Sequence, residues 1–172
     1  MTIPALDPFI EFIRSTRLSE LFRNQVAWLW PLCESLHFIG LSLLIGAAGF
    51  FDLRLLGFTK SVPLRSAKRF VPWAMAGFAV NLLTGLIFFI SQPQQYATNL
   101  AMWLKVVFLL VAGINAMLFE TSYSDRLMAL EPDAEMPFSA KVIGAVSLIS
   151  WFAVLYFGRM LPYLDPNPRS GV

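Results

Sequence analysis

Four long apolar blocks alternate along the chain with short segments that hold most of its prolines and charges. A helix rises about 1.5 Å per residue and needs about 20 mostly apolar residues to cross a hydrocarbon core. Residues 26–51, 70–91, 101–119 and 142–160 each meet that requirement. The second block carries no charge, the third only Lys105 and the fourth only Arg159, while the first is interrupted by Glu34 and His37 besides Cys33. Breakers separate the blocks: Gly57 and Pro63, then Gln92-Pro93-Gln94-Gln95, then Pro132 and Pro137. Pro162, Pro166 and Pro168 stop any continuation after the fourth. The pattern predicts an all-α fold, an integral-membrane four-helix bundle forming a single domain without internal repeats.

Ahead of the blocks, Leu6, Phe9, Ile10, Ile13, Leu18, Leu21 and Phe22 recur at roughly helical spacing, with Asp7, Glu11, Arg14, Arg17, Glu20 and Arg23 among them. That alternation lacks the basic start and apolar run of a signal peptide. It predicts an N-terminal amphipathic helix, either lying on the membrane surface or packed on the bundle.

Composition sharpens this picture. The chain is 57% hydrophobic and 14% charged, against about 25% charged in soluble domains, and the surplus sits in the four blocks. A net charge of +2 gives no reason to expect a nucleic-acid partner. A single cysteine, Cys33, excludes an intrachain disulfide and is expected to be buried. Arg54, Lys60, Arg65, Lys68 and Arg69 crowd between the first and second blocks, and no lysine or arginine lies between the second and third. Positive charge favours the cytoplasmic side, so both termini are expected in the periplasm, although Arg14, Arg17 and Arg23 pull the other way. Trp28, Trp30, Trp73, Trp103 and Tyr163 stand near the block ends, where interfacial aromatics belong.

Charged groups inside such blocks are costly, about 2.5–3.5 kcal/mol each at a helix centre. His37, the one histidine, falls ~16 Å along its block, near the midplane. Each of its ring nitrogens needs a partner or a metal. Glu34 is one turn outward and Gly40 one turn inward on the same face. Gly40, with Gly77, Gly85 and Gly113, admits two readings: room for a flat ligand beside the imidazole, or close helix packing. Asn81 reaches the same depth as His37 and can donate to the imidazole or serve as interhelical glue, as can Asn115. Lys105, ~6 Å into its block, either snorkels outward or pairs with Glu34. Arg159 is either an interfacial anchor or a clamp for an anionic group such as a haem propionate. Asp52, Arg54 and Glu120 suggest charge pairing at the cytoplasmic surface.

Leu36-His37-Phe38-Ile39-Gly40 and Met102-Trp103-Leu104-Lys105 resemble motifs of small bacterial membrane proteins that include the copper resistance protein D family and the haem-containing membrane protoporphyrinogen oxidases. Asp52-Leu53-Arg54-Leu55-Leu56-Gly57 is closer still to bacterial membrane proteins of unknown function. The resemblance implies a multi-pass protein of the bacterial inner membrane. In the oxidases the early histidine ligates haem b and the later lysine is functionally important; His37 and Lys105 match them. The departure is the lack of a second histidine. It leaves an open sixth position, a ligand such as Met or Lys105, or one from a neighbouring subunit. The seven methionines are scattered, which weakens the copper alternative.

The residues therefore point first to a haem-b-binding redox or electron-transfer protein with His37 as axial ligand, and with Gly40, Asn81, Lys105 and Arg159 around the cofactor. A quinone or redox protein would be its partner, and the short ligand count favours a homo-oligomer. The alternatives are a structural subunit of a larger membrane complex and a small transporter or proton path through Glu34, His37 and Lys105. A role as a membrane oxidoreductase is admitted, not required; phosphate-binding loops and nucleophile motifs are lacking. Reporter fusions at Pro93 and Val172 are both expected to read periplasmic. A cytoplasmic signal at Pro93 overturns the orientation.

Overall fold

The computed structural model describes residues 6–22, 28–131 and 134–165. Arg23, the first block's start at Val26, Pro132, Pro166, Pro168 and Val172 lie outside these. All regular structure among the described residues is helical. Four helices are long and apolar enough to cross a membrane.

The first, α3 (Leu29–Leu56), follows two short amphipathic helices, α1 (Asp7–Arg14) and α2 (Arg17–Glu20). It runs five residues past the predicted end at 51, because Asp52-Leu53-Arg54-Leu55-Leu56 contains no breaker. Gly57 ends it in the left-handed conformation (φ 92°), with Gly57 N–H donating to Arg54 O and Phe58 N–H to Leu53 O. Both bonds satisfy carbonyls that the last turn leaves free, and the positive φ suits glycine. After α4 (Leu64–Lys68), α5 (Val71–Ser91) begins with Pro72 in its first turn, where a missing N–H costs nothing. The short α6 (Pro93–Ala97) leads to α7 (Leu100–Leu118).

Buried Asn99 caps α7: its Oδ1 accepts from Ala101 N–H at 2.9 Å, and its Nδ2 donates to Leu161 O at 2.8 Å. One side chain thus starts α7 and ties it to the end of the fourth long helix. A π-helical turn, Phe119–Tyr123, and α8 (Ser124–Met128) prolong α7. Helix α9 (Phe138–Met160) starts four residues earlier than the predicted 142, directly after Pro137.

The long helices run antiparallel in chain order, and their neighbours are set by packing. Helix α3 packs most extensively on α5 and also on α9, and α9 packs on α7. Helices α5 and α7, although joined by α6, make no more than marginal contact. The α3–α5 contact depends on glycine. A Cβ on Gly77 would lie 2.6 Å from Gly40 O and 2.7 Å from Leu44 N, and one on Gly40 would lie 3.0 Å from Gly77 O and from Val80. A similar approach joins α3 to α9, where a Cβ on Gly144 would meet Asp52 O at 2.9 Å. Asn115 Nδ2 donates to Ile143 O at 3.0 Å and fastens α7 to α9, a common use of a polar side chain between apolar helices. Cys33 is buried, as expected.

The N-terminal segment packs on the protein and also keeps an outward apolar face. Ile10 is buried, and Ser19 Oγ donates to Ile90 O at 2.9 Å at the end of α5. Phe9 and Phe12 face away. The long helices also turn large side chains outward: Leu110, Ile114 and Met117 of α7 are each more than three-fifths exposed. A contiguous apolar surface of this kind needs a cover other than water.

Alanine at two helical glycines separates packing from propensity. Gly77→Ala is expected to lower the melting temperature in detergent by several degrees, since its methyl would push two backbones apart and overpacking costs about 1–3 kcal/mol. Gly113 has nothing within 4 Å of a built Cβ. Gly113→Ala should leave stability equal or raise it by up to about 1 kcal/mol. Equal effects of the two would refute the account of α3–α5 contact.

Candidate functional site

His37 stands on α3 ~12 Å from Leu29, and its ring is half-buried. Its Nδ1 lies 2.7 Å from Thr84 Oγ1 on α5. Thr84 is itself buried, ~10 Å from the end of α5 that leads to α6. Its hydroxyl hydrogen is engaged by its own helix, donating to Val80 O at 2.8 Å, with Asn81 O at 3.3 Å. A hydroxyl has one hydrogen, so toward His37 the Thr84 oxygen accepts, and the network assigns the proton to Nδ1. The neutral ring then carries its lone pair on Nε2, for which the described residues offer no hydrogen-bond donor.

The ring is steadied by apolar neighbours. Phe88 meets it edge-on with centroids 5.5 Å apart and packs on Trp30 at 5.0 Å. A Cβ on Gly85 would lie 4.0 Å from His37 Cε1, in ordinary contact. Gly85, on α5 and one residue beyond Thr84, therefore packs against this flank of the ring at a distance that a methyl would also tolerate.

Lys105 approaches from α7, ~8 Å from Leu100, and is within electrostatic reach of His37. Its Nζ lies 3.7 Å from where a Cβ on Gly158 of α9 would be. No carboxylate among the described residues pairs with it. The Glu34–Lys105 pair, one of the two readings of Lys105, is not formed. Glu34 is on the exposed side of α3, where its Oε1 accepts from Trp30 Nε1 at 3.0 Å. It does reach Tyr96 of α6: burial first, and the Glu34 charge second, push that phenol up to about 12.

Other expected site residues fall elsewhere. Gly40 opens no slot beside the imidazole, because the space its missing side chain leaves is filled by Gly77 O and Val80. Asn81 donates to Gly77 O at 3.1 Å within its own helix, and its buried Oδ1 has no partner among the described residues. Thr84, not Asn81, meets the imidazole. Gly113 is exposed on α7, away from any contact that a Cβ would make. Arg159 is exposed at the end of α9. Thr84 went unnoticed in the sequence, although a threonine deep in an otherwise apolar block was the available signal; Gly85 was among the glycines named for the space beside the imidazole.

The opposite end differs from expectation too. Asp52 and Arg54 are buried, not at the surface. Asp52 Oδ2 has no hydrogen-bond partner among the described residues, while Arg54 Nε donates to Val62 O. Glu120 pairs with Lys68 at 2.8 Å, and Lys68 also reaches Ser124 Oγ at 2.6 Å. A recess of about 240 Å³ bounded by Arg65, Leu127, Met128 and Met136 lies at this end, remote from His37.

Among the described residues no three His, Cys, Asp or Glu side chains come together to hold a metal ion. The arrangement instead offers one imidazole nitrogen, with the ring oriented from behind by Thr84. Comparison of the chain with protein-family models, with curated proteins and with solved structures finds no match.

With a single histidine, labelling is unambiguous. Protein grown on ¹⁵N-histidine should give one protonated nitrogen, Nδ1, and one unprotonated nitrogen, Nε2, at neutral pH. Thr84→Val should shift the ring toward the Nε2–H tautomer. A wild type already in that tautomer contradicts the assignment.

Proposed function

We propose that this chain is an integral membrane protein in which the four long helices cross the bilayer as a bundle and His37 holds a haem b for electron transfer. The observation that carries the reading is the His37–Thr84 hydrogen bond. A histidine that ligates a metal commonly donates its other N–H to an acceptor, which fixes the tautomer and the ring orientation. Here Nδ1–H is directed to Thr84 Oγ1 at 2.7 Å, and Thr84 is held in turn by Val80 O. Nε2 is thereby left as the donor atom.

The residues present fit such a group in their donor chemistry: Nε2 has no hydrogen-bond donor among the described residues, and Phe88 supplies an apolar wall beside the ring. Haem would supply one-electron chemistry that no side chain here provides. The chain's own work is to present Nε2, to hold the ring against rotation through Thr84, and to keep water away with Phe88 and Trp30. With one histidine, each chain would offer one imidazole to the iron, and a further ligand would have to come from a residue such as Met or Lys105 or from another subunit of a homo-oligomer. A membrane quinone or a redox protein is the fitting electron partner.

The outward apolar faces support insertion. The arginines and lysines near the α3–α5 connection, set against none in residues 91–100, support a periplasmic position for the His37 end. That orientation and the resemblance stated above make the bacterial inner membrane the proposed location.

Wild-type protein purified from haem-replete cells should be coloured, with a Soret band that His37→Ala loses while keeping its helical circular dichroism. Thr84→Val should retain haem with about 10–100-fold weaker affinity. A colourless wild type, or His37→Ala with full haem, sinks the reading and favours a structural subunit.

A further inference from the structure

We infer that α1 and α2 form an in-plane anchor, seated on the bundle and sunk by Phe9, Phe12, Leu18 and Leu21 into the headgroup–acyl boundary of the leaflet at the His37 end. The inference rests on the bilayer-crossing reading above and not on the cofactor. The apolar face of α1 is wider than its seat on the protein. At about 100° per residue, Phe12, Phe9, Ile13 and Ile10 follow one another around one side of the helix. At one edge of that arc Ile10 is buried, where α1 packs on α5 and α6. Toward the other edge the side chains are uncovered, Phe9 at 54% and Phe12 at 68% exposure. Asp7, Glu11 and Arg14 make a separate polar stripe at i, i+4 and i+7, and all three are exposed. One helix thus presents three different surfaces. A helix lying in the plane of a bilayer beside its own bundle meets three matching surroundings: protein on a flank, water over its charges and lipid under its aromatic rings.

Helix α2 repeats the arrangement and fixes its level. Ser19 is buried, while Leu18 and Leu21, one turn apart, are exposed. Ser19 Oγ donates to Ile90 O at 2.9 Å, one residue before α5 ends at Ser91. The segment is therefore tied to α5 where the apolar span gives way to Gln92 and Pro93, the depth at which hydrocarbon meets headgroups. Trp28, Trp103 and Tyr163 stand at the neighbouring ends of α3, α7 and α9, each close to half exposed or more. Aromatic residues so placed mark the same interfacial level. Charge selects how the lipid is held. Asp7, Glu11 and Glu20 offset Arg14 and Arg17, so these two helices carry no cationic excess to attract anionic headgroups. Apolar insertion carries the contact, and phospholipid of either headgroup charge serves.

The test places nitroxide labels on full-length protein reconstituted in phosphatidylcholine vesicles, at Phe12→Cys, Glu11→Cys and Leu110→Cys in turn. Cys33 is buried and is retained, with wild type labelled in parallel as background. Relaxation by oxygen, which concentrates in acyl chains, is compared with relaxation by a water-soluble nickel chelate. Oxygen is expected to dominate at position 12 and nickel at position 11, although the two are adjacent. Replacing a third of the lipid by phosphatidylglycerol should leave both readings unchanged. Leu110, exposed on α7, separates the two levels of failure. Nickel dominating at 12 while oxygen dominates at 110 overturns this inference and leaves the bilayer-crossing reading standing. Nickel dominating at 110 overturns both. Broadening between labels at 12 that vanishes on dilution with unlabelled protein overturns the inference in favour of a second copy on this face. Embedding seen only with phosphatidylglycerol overturns insertion by apolar contact. Leu18→Cys gives the same reading on α2 should Phe12→Cys fail to fold.

Discussion

The contact on which the rest depends is the backbone-to-backbone approach of α3 and α5 at Gly40 and Gly77. With the Gly77 methyl position only 2.6 Å from a carbonyl, the two helices lie as close as main chains allow. That proximity seats Thr84, two turns along α5, against His37, one turn along α3. Helices held a side chain's width farther apart would break the 2.7 Å bond. The glycines thus act on the site from outside it, by setting the distance across which a short threonine can meet an imidazole.

The same packing order sets which helices surround the imidazole. Helix α3 is covered by α5 and α9, and α9 by α7, but α5 and α7 are joined mainly through α6. His37, Gly85, Phe88 and Lys105 belong to three of these helices and stand near the loosely closed end. Asn99, which fastens the start of α7 to Leu161, keeps that end from spreading.

The long helices were legible in the sequence because their cause is local: apolar length, then breakers. The exceptions have identifiable reasons. Asp52 and Arg54 suggested a loop, yet the helix continues to the first residue that can take a positive φ, Gly57. The chemistry was legible only where a residue is costly by itself, as His37 and Lys105 are. Partners were not, because they depend on rotation about helix axes. The choice between Asn81 and Thr84 is a matter of a single turn, and the choice between Gly40 and Gly85 depends on which side of His37 α5 occupies. A pair with Glu34 was one of the two readings of Lys105, but the position of Glu34 on α3 carries it to the exposed side, where its carboxylate accepts from the Trp30 indole.

The central claim is that Nε2 of His37 is the protein's donor to iron. Because the chain has one histidine, pulsed electron paramagnetic resonance on haem-loaded protein grown with ¹⁵N-histidine tests it directly. The account predicts a ¹⁵N hyperfine coupling to the ferric iron from a single directly bound histidine nitrogen, absent in protein grown on unlabelled histidine. Haem bound in full amount without any such coupling would contradict it.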